Sequence, residues 1–285
     1  MIEGILSKLT SESILGFVPF FIKTINISFF DKYFIRFLIF VLISIFFVDF
    51  NIIQKYLFNK DGLILGFITI IHVYTSYKGY ELLKGGVANS ILYLYPLFIL
   101  LIKDQKFRWV YLIFIIGLFL LAYSDYFYYQ TEEYKNNIFD LTKKEQSYNF
   151  EGILNMLISA ITEAFIYFYI LKIKTNNNWN HIFISYFMGL LLILLFNVKK
   201  IINYQLNFNK FVISLFYIFI LLIGYYLRFY AINHLSTINY SILSYLGIFI
   251  TYLYGFIFLK EKVNMFNISG TLLIIIGNLL LYILN

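Results

Sequence analysis

The sequence contains no cysteine, only two prolines and few charged residues. Without cysteine, the chain can form neither disulfides nor a thiol-based catalytic or metal site. Charged side chains make up 13% of the 285 residues. That is too few to cover the surface of a water-soluble globule of this length. These scarcities exclude thiol and disulfide chemistry, and they exclude an ordinary soluble domain.

Several catalytic and binding motifs are missing as well. The three histidines are scattered without the spacing of metal ligands, and the chain has neither a nucleophile elbow nor a phosphate-binding glycine loop. The formal net charge of +7 is spread over the loops, with no basic block of the kind that binds nucleic acid. We therefore expect no enzyme, no metal, no cofactor and no nucleic-acid partner.

Apolar residues are abundant, at 61% of the chain, and they occur in recurrent long runs. Each run is long enough to cross about 30 Å of hydrocarbon. Because backbone groups in lipid must be hydrogen-bonded within their own segment, the runs are predicted to be helices. The predicted fold class is an all-α polytopic membrane protein with about ten transmembrane helices. We place the spans at roughly 4–24, 33–49, 62–80, 85–103, 108–125, 152–172, 180–197, 210–231, 237–259 and 265–284.

A charged linker at residues 126–151 divides these spans into two sets of five. The first set lies in residues 1–125 and the second in residues 152–285. Because five is an odd number, the second set enters the membrane from the side opposite to the first. The halves are therefore predicted to be inverted repeats, with a binding site near the membrane midplane between them.

Short sequence matches support a duplication. Glu3-Gly4-Ile5-Leu6 recurs as Glu151-Gly152-Ile153-Leu154, and Ser90-Ile91-Leu92 recurs as Ser241-Ile242-Leu243. The offset between the copies is similar in both cases, which indicates a repeat more than chance apolar similarity.

The second half also carries an ordered set of family motifs: Phe229-Tyr230-Ala231, Leu235, Ser241 to Leu246, Phe249, Gly255, Leu259 to Glu261, Gly270 and Gly277. The first half carries Gly4 to Leu6, Gly16, Lys23, Arg36-Phe37 and Tyr95-Pro96-Leu97-Phe98. In order and spacing, the sequence resembles the EamA-like ten-helix transporters of the drug/metabolite transporter (DMT) superfamily.

The resemblance implies a transporter with both termini in the cytoplasm, and it does not fix a substrate. It also implies that the first, third, fourth, sixth, eighth and ninth helices line the cavity. The sequence departs from the family where Lys260 stands in place of a glycine at the end of the ninth helix. The Lys/Arg distribution among the loops does not by itself indicate an orientation. We expect a multi-pass protein of the plasma (inner) membrane in contact with lipid, and the oligomeric state is left open.

Two acidic residues fall within predicted spans. Glu163 lies near the middle of the sixth span, where a carboxylate is costly by about 2.5–3.5 kcal/mol. Because desolvation favours the neutral form, Glu163 is a candidate for proton coupling or for binding a substrate amine; the alternative is a carboxylate hydrogen-bonded to Thr162 or a neighbouring helix. Glu12, in the first span, is expected to form an interfacial ion pair with Lys8 one turn earlier.

Arg36 and Arg228 are the cationic candidates within the spans. Arg36 lies near the start of the second span and Arg228 near the end of the eighth, so either could extend its side chain to the membrane surface. The other interpretation is that their planar guanidinium groups hold a carboxylate, helix-end carbonyls or an anionic substrate group. The chain uses lysine for nearly all its basic residues, so the retained arginines favour a specific contact.

Five further residues complete the candidate set. His72 is expected to be a hydrogen-bonded packing residue, with substrate or proton binding as the alternative. Tyr95 and Tyr245 can supply hydroxyl groups to a cavity. Pro19 and Pro96 interrupt helical hydrogen bonds within their spans and are predicted to act as kinks or hinges.

These observations lead to one preferred function and two alternatives. The preferred function is a secondary transporter, an exporter or exchanger, which moves a small organic metabolite by alternating access of two inverted repeats. One alternative is a flippase for a lipid-linked sugar or a phospholipid. The other is a membrane enzyme or assembly partner that transports nothing.

Overall fold

The computed structural model describes residues 2–104, 109–124, 142–197 and 208–283. Within those ranges the chain is helical and contains no strand. The helices are α1 (Ile2–Leu15), α2 (Val18–Thr24), α3 (Phe29–Ser44), α4 (Phe50–Tyr56), α5 (Lys60–Leu82), α6 (Gly85–Leu92), α7 (Tyr95–Asp104), α8 (Tyr111–Ala122), α9 (Thr142–Lys172), α10 (Asn178–Phe196), α11 (Phe208–His234), α12 (Thr237–Leu259) and α13 (Met265–Ile283).

Polar side chains define where several of these helices begin. Ser28 accepts a hydrogen bond from a backbone N–H in the first turn of α3, and Ser236 does the same for α12. Asp49 caps α4 and Asn177 caps α10 in the same way. Each cap satisfies one of the N–H groups that the first helical turn leaves without an intrahelical partner, so apolar runs become helices with fixed starts.

Both prolines follow a break in a helix. Pro19 is the second residue of α2, after a two-residue turn that separates α2 from α1. Pro96 is likewise the second residue of α7, after a turn at Tyr93 and Leu94 that separates α7 from α6. Proline suits the first turn of a helix, where its missing N–H leaves no bond unmade. The breaks lie where the sequence predicts kinks, and a hinge function stays a prediction.

Six helices in the described ranges are long and apolar enough to cross a membrane, counting α1 with α2, and α6 with α7, as one each. A seventh results if α4 and α5 are one bent span, although their axes differ by 87°. Ten spans were expected; α8 and residues Met265–Leu280 of α13 are apolar but shorter than these spans. The chain is therefore all-helical, with six or seven candidate spans.

Helix boundaries differ from the expected spans in two places. α9 begins at Thr142, ten residues before the expected start, because the polar run after Thr142 contains good helix formers. The rest of the predicted linker, residues 126–141, lies outside the described residues, as does Arg108. α4 is a separate short helix that the sequence analysis assigned to a polar connection.

The helices pack mainly between the two halves of the chain. α5 packs along α9, α1 packs along α11 and α12, α8 packs against α13, and α3 packs against α10. Small residues allow the closest approaches: a Cβ atom on Gly270 would lie 2.8 Å from the carbonyl oxygen of Gly117, and one on Gly117 would lie 3.0 Å from that of Gly270. This close contact joins α8 to α13, and it explains Gly270 as a packing residue.

Ion pairs join helix ends on one side of the bundle, here called the Glu261 end. The Glu261 carboxylate, just after α12, forms an ion pair with Lys23 of α2 and accepts the backbone N–H of Gly85, which begins α6, over 2.9 Å. On the same side, Lys32 lies 3.6 Å from Glu81 at the end of α5. One carboxylate thus connects α2, α6 and α12.

Lys260 closes α12 in the left-handed conformation, with φ 53° and ψ 33°. It is the one non-glycine residue with positive φ in the described ranges. Glycine is the usual residue in this conformation because it lacks a Cβ atom. Lys260 therefore keeps the backbone geometry of the glycine that the family resemblance predicts at this position.

Candidate functional site

Charged side chains from both halves of the chain are buried around Arg228 of α11. Its Nη1 atom donates a hydrogen bond to Oε1 of Glu163 on α9 over 2.9 Å. Its Nη2 atom lies 3.5 Å from Oε1 of Glu12 on α1. Glu12 is fully buried, and the other two are at most 4% exposed. One guanidinium therefore joins two carboxylates, a contact that its planar, forked shape allows.

His72 of α5 contacts the other oxygen of Glu163. Its Nε2 atom lies 3.3 Å from Oε2 of Glu163. Its Nδ1 atom lies 3.2 Å from Oγ of Ser159 and 3.1 Å from the Ser159 carbonyl oxygen. A neutral ring satisfies these contacts when the Ser159 hydroxyl donates to Nδ1 and Nε2–H donates to Glu163. A protonated ring satisfies them by donating to the Ser159 carbonyl instead.

Glu12 has two further partners. Lys8 pairs with its Oε1 atom from one turn earlier on α1, and the Tyr93 hydroxyl, between α6 and α7, donates to Oε2. The Lys8 ammonium also lies 3.6 Å from the centre of the Tyr240 ring on α12. The predicted Lys8–Glu12 pair is confirmed. Both side chains are fully buried within the helix bundle, and their predicted interfacial position stays a prediction.

Arg36 of α3 occupies a second position and has no carboxylate partner in the described part of the chain. Its Nη2 atom donates to the Tyr186 hydroxyl over 2.6 Å. Four aromatic rings surround its guanidinium with centroids 4.6–5.4 Å away: Phe40, Tyr77, Tyr186 and Tyr225. Arg36 is 1% exposed and Arg228 is 3% exposed, so the alternative in which either side chain reaches the membrane surface is wrong.

A small cavity lies between the two arginines. Its volume is about 20 Å³, close to the space that a single water molecule needs. Arg36, Arg228, His72, Ser76 and Tyr80 are among its lining residues, together with Asn89, Leu92, Tyr93, Tyr225, Leu15 and Val18. Polar and aromatic groups from both halves therefore converge on one closed space in the interior.

A hydrogen-bonded chain forms one side of this cavity. The Tyr80 hydroxyl donates to the Asn89 side-chain oxygen, and the Asn89 amide donates to the Thr251 hydroxyl. Tyr80, Asn89 and Thr251 come from α5, α6 and α12 respectively, so these two hydrogen bonds connect three helices beside the cavity.

The structure brings together most of the predicted site residues. Glu163, Arg228 and His72 are in direct contact, and Arg36 lines the same cavity. Tyr95 is buried where α7 meets α12, with its hydroxyl hydrogen-bonded to Ser244, and Tyr245 is buried on α12. Neither tyrosine lines the cavity.

Sequence reasoning missed Lys8, Glu12, Tyr93 and Asn89 as members of the site. A signal was present for Glu12, because it lies well inside a run that is otherwise long enough to span the membrane. Tyr93 was one of many tyrosines, and Asn89 carried no signal that distinguishes it from other polar residues in the chain.

Glu163 and Arg228 lie in the second half of the chain, and so does most of the family pattern. Residues 150–283 match the model of the EamA-like transporter family. The second half of the chain is similar to the EamA-like transporter family. This confirms the resemblance to the DMT superfamily, of which the family is a part. No curated protein matches the chain.

EamA-like proteins are membrane transporters, and the described helices agree with that class. The six or seven apolar helices and the EamA-like match make the chain an integral multi-pass membrane protein. The ion-paired group around Arg228 joins this EamA-like half, through Glu163 and Arg228, to the first half, through Glu12 and His72. The candidate site is therefore shared between the two halves.

Proposed function

We propose that the protein is a secondary transporter of a small organic metabolite that works by alternating access between two inverted five-helix repeats, residues 1–125 and 152–285. The buried contact of Arg228 with Glu12 and Glu163 carries this proposal. Ionisable groups inside a membrane are costly and typically mark a path for a substrate or an ion. These groups lie at the contact between the halves, which is where inverted-repeat transporters bind their substrates.

The packing of the helices supports the inverted repeats. If α1 corresponds to α9, and α5 to α11, then the pairing of α1 with α11 corresponds to the pairing of α9 with α5. Both pairings are among the most extensive contacts in the described structure. If α8 likewise corresponds to α13, exchanging the two halves leaves the contact of α8 with α13 unchanged. A two-fold relation between the halves produces this pattern, because each contact then has an equivalent with the halves exchanged.

Contacts of individual residues also have equivalents in the other half of the chain. Ser11 of α1 donates to the carbonyl oxygen of Gly224 on α11, and the equivalent Ser159 of α9 contacts His72 on α5. Gly4 packs against Leu235, and the equivalent Gly152 packs against Leu83. The repeat is not exact at the site, because His72 corresponds to Gly224. Substrate selectivity would therefore come from side chains that only one repeat carries.

The closed cavity supports alternating access. A space of about 20 Å³ is too small for an organic solute, so helices must move before a substrate can enter. The ion pair and the backbone hydrogen bond of Glu261 connect α2, α6 and α12, and breaking these contacts would open the Glu261 end. The breaks before Pro19 and Pro96 lie in two of the helices that must move, which supports a hinge function for both prolines.

We also propose that His72 and Glu163 form a proton-binding pair. The Nε2–Oε2 contact can hold a proton on either atom, and the Ser159 carbonyl oxygen is in place to accept Nδ1–H when His72 is protonated. After release of the proton, the Nδ1 atom of His72 would again accept a hydrogen bond from the Ser159 hydroxyl. The pair thus has hydrogen-bond partners in both protonation states, which is what proton coupling requires.

The two alternative functions have less support. A flippase needs a laterally open apolar cavity, whereas this cavity is small and lined mainly by polar and aromatic side chains. For an enzyme, the described residues contain no group of three or more His, Asp or Glu side chains that could hold a metal ion. The EamA-like family also favours transport over catalysis. The plasma membrane stays our proposed location.

Transport by Glu163→Gln tests the proposal. The full-length protein would be reconstituted in vesicles, and solute uptake or exchange would be measured with and without a pH gradient. We expect Glu163→Gln to lower transport at least about tenfold, because it removes the charge that pairs with Arg228 and the acceptor that faces His72. Glu151→Gln is the matched control, since Glu151 is an exposed residue of the same helix. Transport at the wild-type rate by a folded Glu163→Gln protein would contradict the proposal.

A further inference from the structure

Arg36 is a positive charge at the cavity that forms no ion pair with a carboxylate in the described part of the chain. Lys8, Glu12, Glu163 and Arg228 together hold two positive and two negative charges, and ion pairs link them into one network. Arg36 adds a further positive charge without an acidic partner in the described part of the chain. With histidine counted as neutral, Arg36 and this network together give the cavity and its surroundings a net charge of about one positive unit.

The surroundings of Arg36 satisfy its guanidinium only in part. A guanidinium has five N–H donors, and the hydrogen bond from Nη2 goes to Tyr186. The Nε atom is buried and has no hydrogen-bond partner in the described ranges. Aromatic rings attract the charge but cannot replace a hydrogen-bond acceptor for these in-plane donors. The side chain is buried, faces the cavity and has donor capacity to spare.

We infer that the cavity, once the helices around it have moved apart, binds a small organic monocarboxylate, and that Arg36 holds its carboxylate group. This inference deepens the proposed transport function and rests on it. A carboxylate matches the planar fork of arginine and accepts two of its hydrogen bonds. A single negative charge would neutralise the walls of the cavity, whereas a dicarboxylate or a phosphate dianion would leave an excess negative charge in a medium of low dielectric.

The remaining walls suit the rest of such a molecule. Ser76, Tyr80, Asn89 and Tyr93 line the cavity with hydroxyl and amide groups, which can hydrogen-bond to polar substituents. Leu15, Val18 and Leu92 provide apolar contacts. Both Nη atoms of Arg228 already face carboxylates of the protein, and only its Nε is without a hydrogen-bond partner in the described ranges. Arg36 has no such ion pair there, so it is the cation available to the ligand.

The first test is ligand-dependent thermal stability of the purified full-length protein. The probes are lactate, malonate, inorganic phosphate, ethanolamine and glycerol, each over a concentration series at constant ionic strength. We expect lactate to raise the midpoint temperature and the other four to leave it unchanged, because a ligand stabilises the state that binds it. An equal response to malonate or phosphate, or a response to ethanolamine or glycerol alone, would overturn the inference.

Variants of Arg36 separate a binding role from a structural one. Arg36→Gln is expected to weaken lactate binding about 30-fold or more, and Arg36→Lys is expected to retain part of it, because lysine keeps the charge without the fork. The empty Arg36→Gln protein should be at least as thermostable as the wild type, since an unbalanced buried charge has been removed. A structural arginine would give the opposite result, with loss of stability. Lys55→Gln, at an exposed lysine beside a tyrosine ring, is the matched control.

Counterflow in vesicles distinguishes failure of the inference from failure of the proposed transport. Vesicles loaded with unlabelled solute would be supplied with the same labelled solute outside. Accumulation of labelled lactate by the wild type, and its loss in Arg36→Gln, would support both. Counterflow of ethanolamine or glycerol that Arg36→Gln leaves unchanged would overturn the monocarboxylate while transport stands. Absence of counterflow for every compound of a broad metabolite panel would overturn the transport function itself.

Discussion

Arg228 is the residue on which the two halves of the chain depend most directly. One guanidinium contacts a carboxylate of α1 and a carboxylate of α9 through different nitrogen atoms. An ammonium group is a point charge on a flexible stem and cannot present two donors in one plane. A lysine at this position would satisfy one carboxylate and leave the other with a weaker contact.

Arg228→Lys is therefore expected to reduce transport at least tenfold and to destabilise the protein by about 1–3 kcal/mol, the cost of a buried polar group that loses its partner. Counterflow in vesicles and the unfolding midpoint in detergent measure the two effects. Adding Glu12→Gln to Arg228→Lys should restore part of the stability, because it removes the second carboxylate. If Arg228→Lys changed neither transport nor stability, a single point charge at this position would be sufficient for both.

At the scale of the helices, Lys260 is a local conflict between residue type and backbone conformation. The left-handed conformation costs an ordinary residue about 1–2 kcal/mol, and glycine adopts it without that penalty. Lys260→Gly should stabilise the protein by up to about 1 kcal/mol, after allowing for the greater freedom of glycine in the unfolded chain. Equilibrium unfolding in detergent measures the change.

Lys262→Gly provides the matched control for Lys260→Gly. Lys262 lies two residues further along the same connection and does not have positive φ. Glycine at position 262 relieves no backbone strain, so Lys262→Gly should leave the stability unchanged or lower it slightly. If both substitutions changed stability equally, relief of the left-handed backbone would not be the cause.

Some helices could be predicted closely from the sequence. α12 occupies the predicted span 237–259, and α5 extends the predicted span 62–80 by two residues at each end. Both helices contain long apolar stretches and begin at polar residues. The early start of α9 could not be predicted, because a run of charged residues that forms a helix resembles a loop when only hydropathy is considered.

The site could be predicted residue by residue but not as a group. Glu163, Arg228 and His72 were identifiable because an ionisable group within an apolar run is costly. Their contacts join residues 65 and more positions apart, and one sequence carries no record of such pairings. Glu12 was misjudged because Lys8 one turn away offered a local partner, and local spacing does not reveal which helices will cover the pair.

At the scale of the whole molecule, Glu261 connects three helices with one carboxylate. Removing the charge of Glu261 should let α2, α6 and α12 move apart at the Glu261 end more often. Because the chain has no cysteine, Ser76→Cys would place a single thiol in the cavity wall, where a water-soluble thiol reagent can report opening. Adding Glu261→Gln should raise the labelling rate about fivefold, corresponding to about 1 kcal/mol for a partly buried ion pair.

Glu3→Gln is the control for Glu261→Gln, since it removes an exposed carboxylate that accepts a hydrogen bond from Tyr230 near the other end of the bundle. Labelling of Ser76→Cys should be unchanged by Glu3→Gln. Equal labelling rates with and without Glu261→Gln would mean that the ion pair does not restrain the Glu261 end.

The unbalanced charge of Arg36 also has a consequence for energetics across a membrane. If a monocarboxylate neutralises the cavity, the loaded carrier reorients as an uncharged unit, whereas the empty carrier reorients with a bare cation. A membrane voltage acts only on the second movement, at about 2.3 kcal/mol for each charge that crosses 100 mV. Return of the empty carrier becomes the slow step and the electrically sensitive one. Such a protein would exchange one acid for another faster than it would move either alone, and voltage would set the rate of net flow.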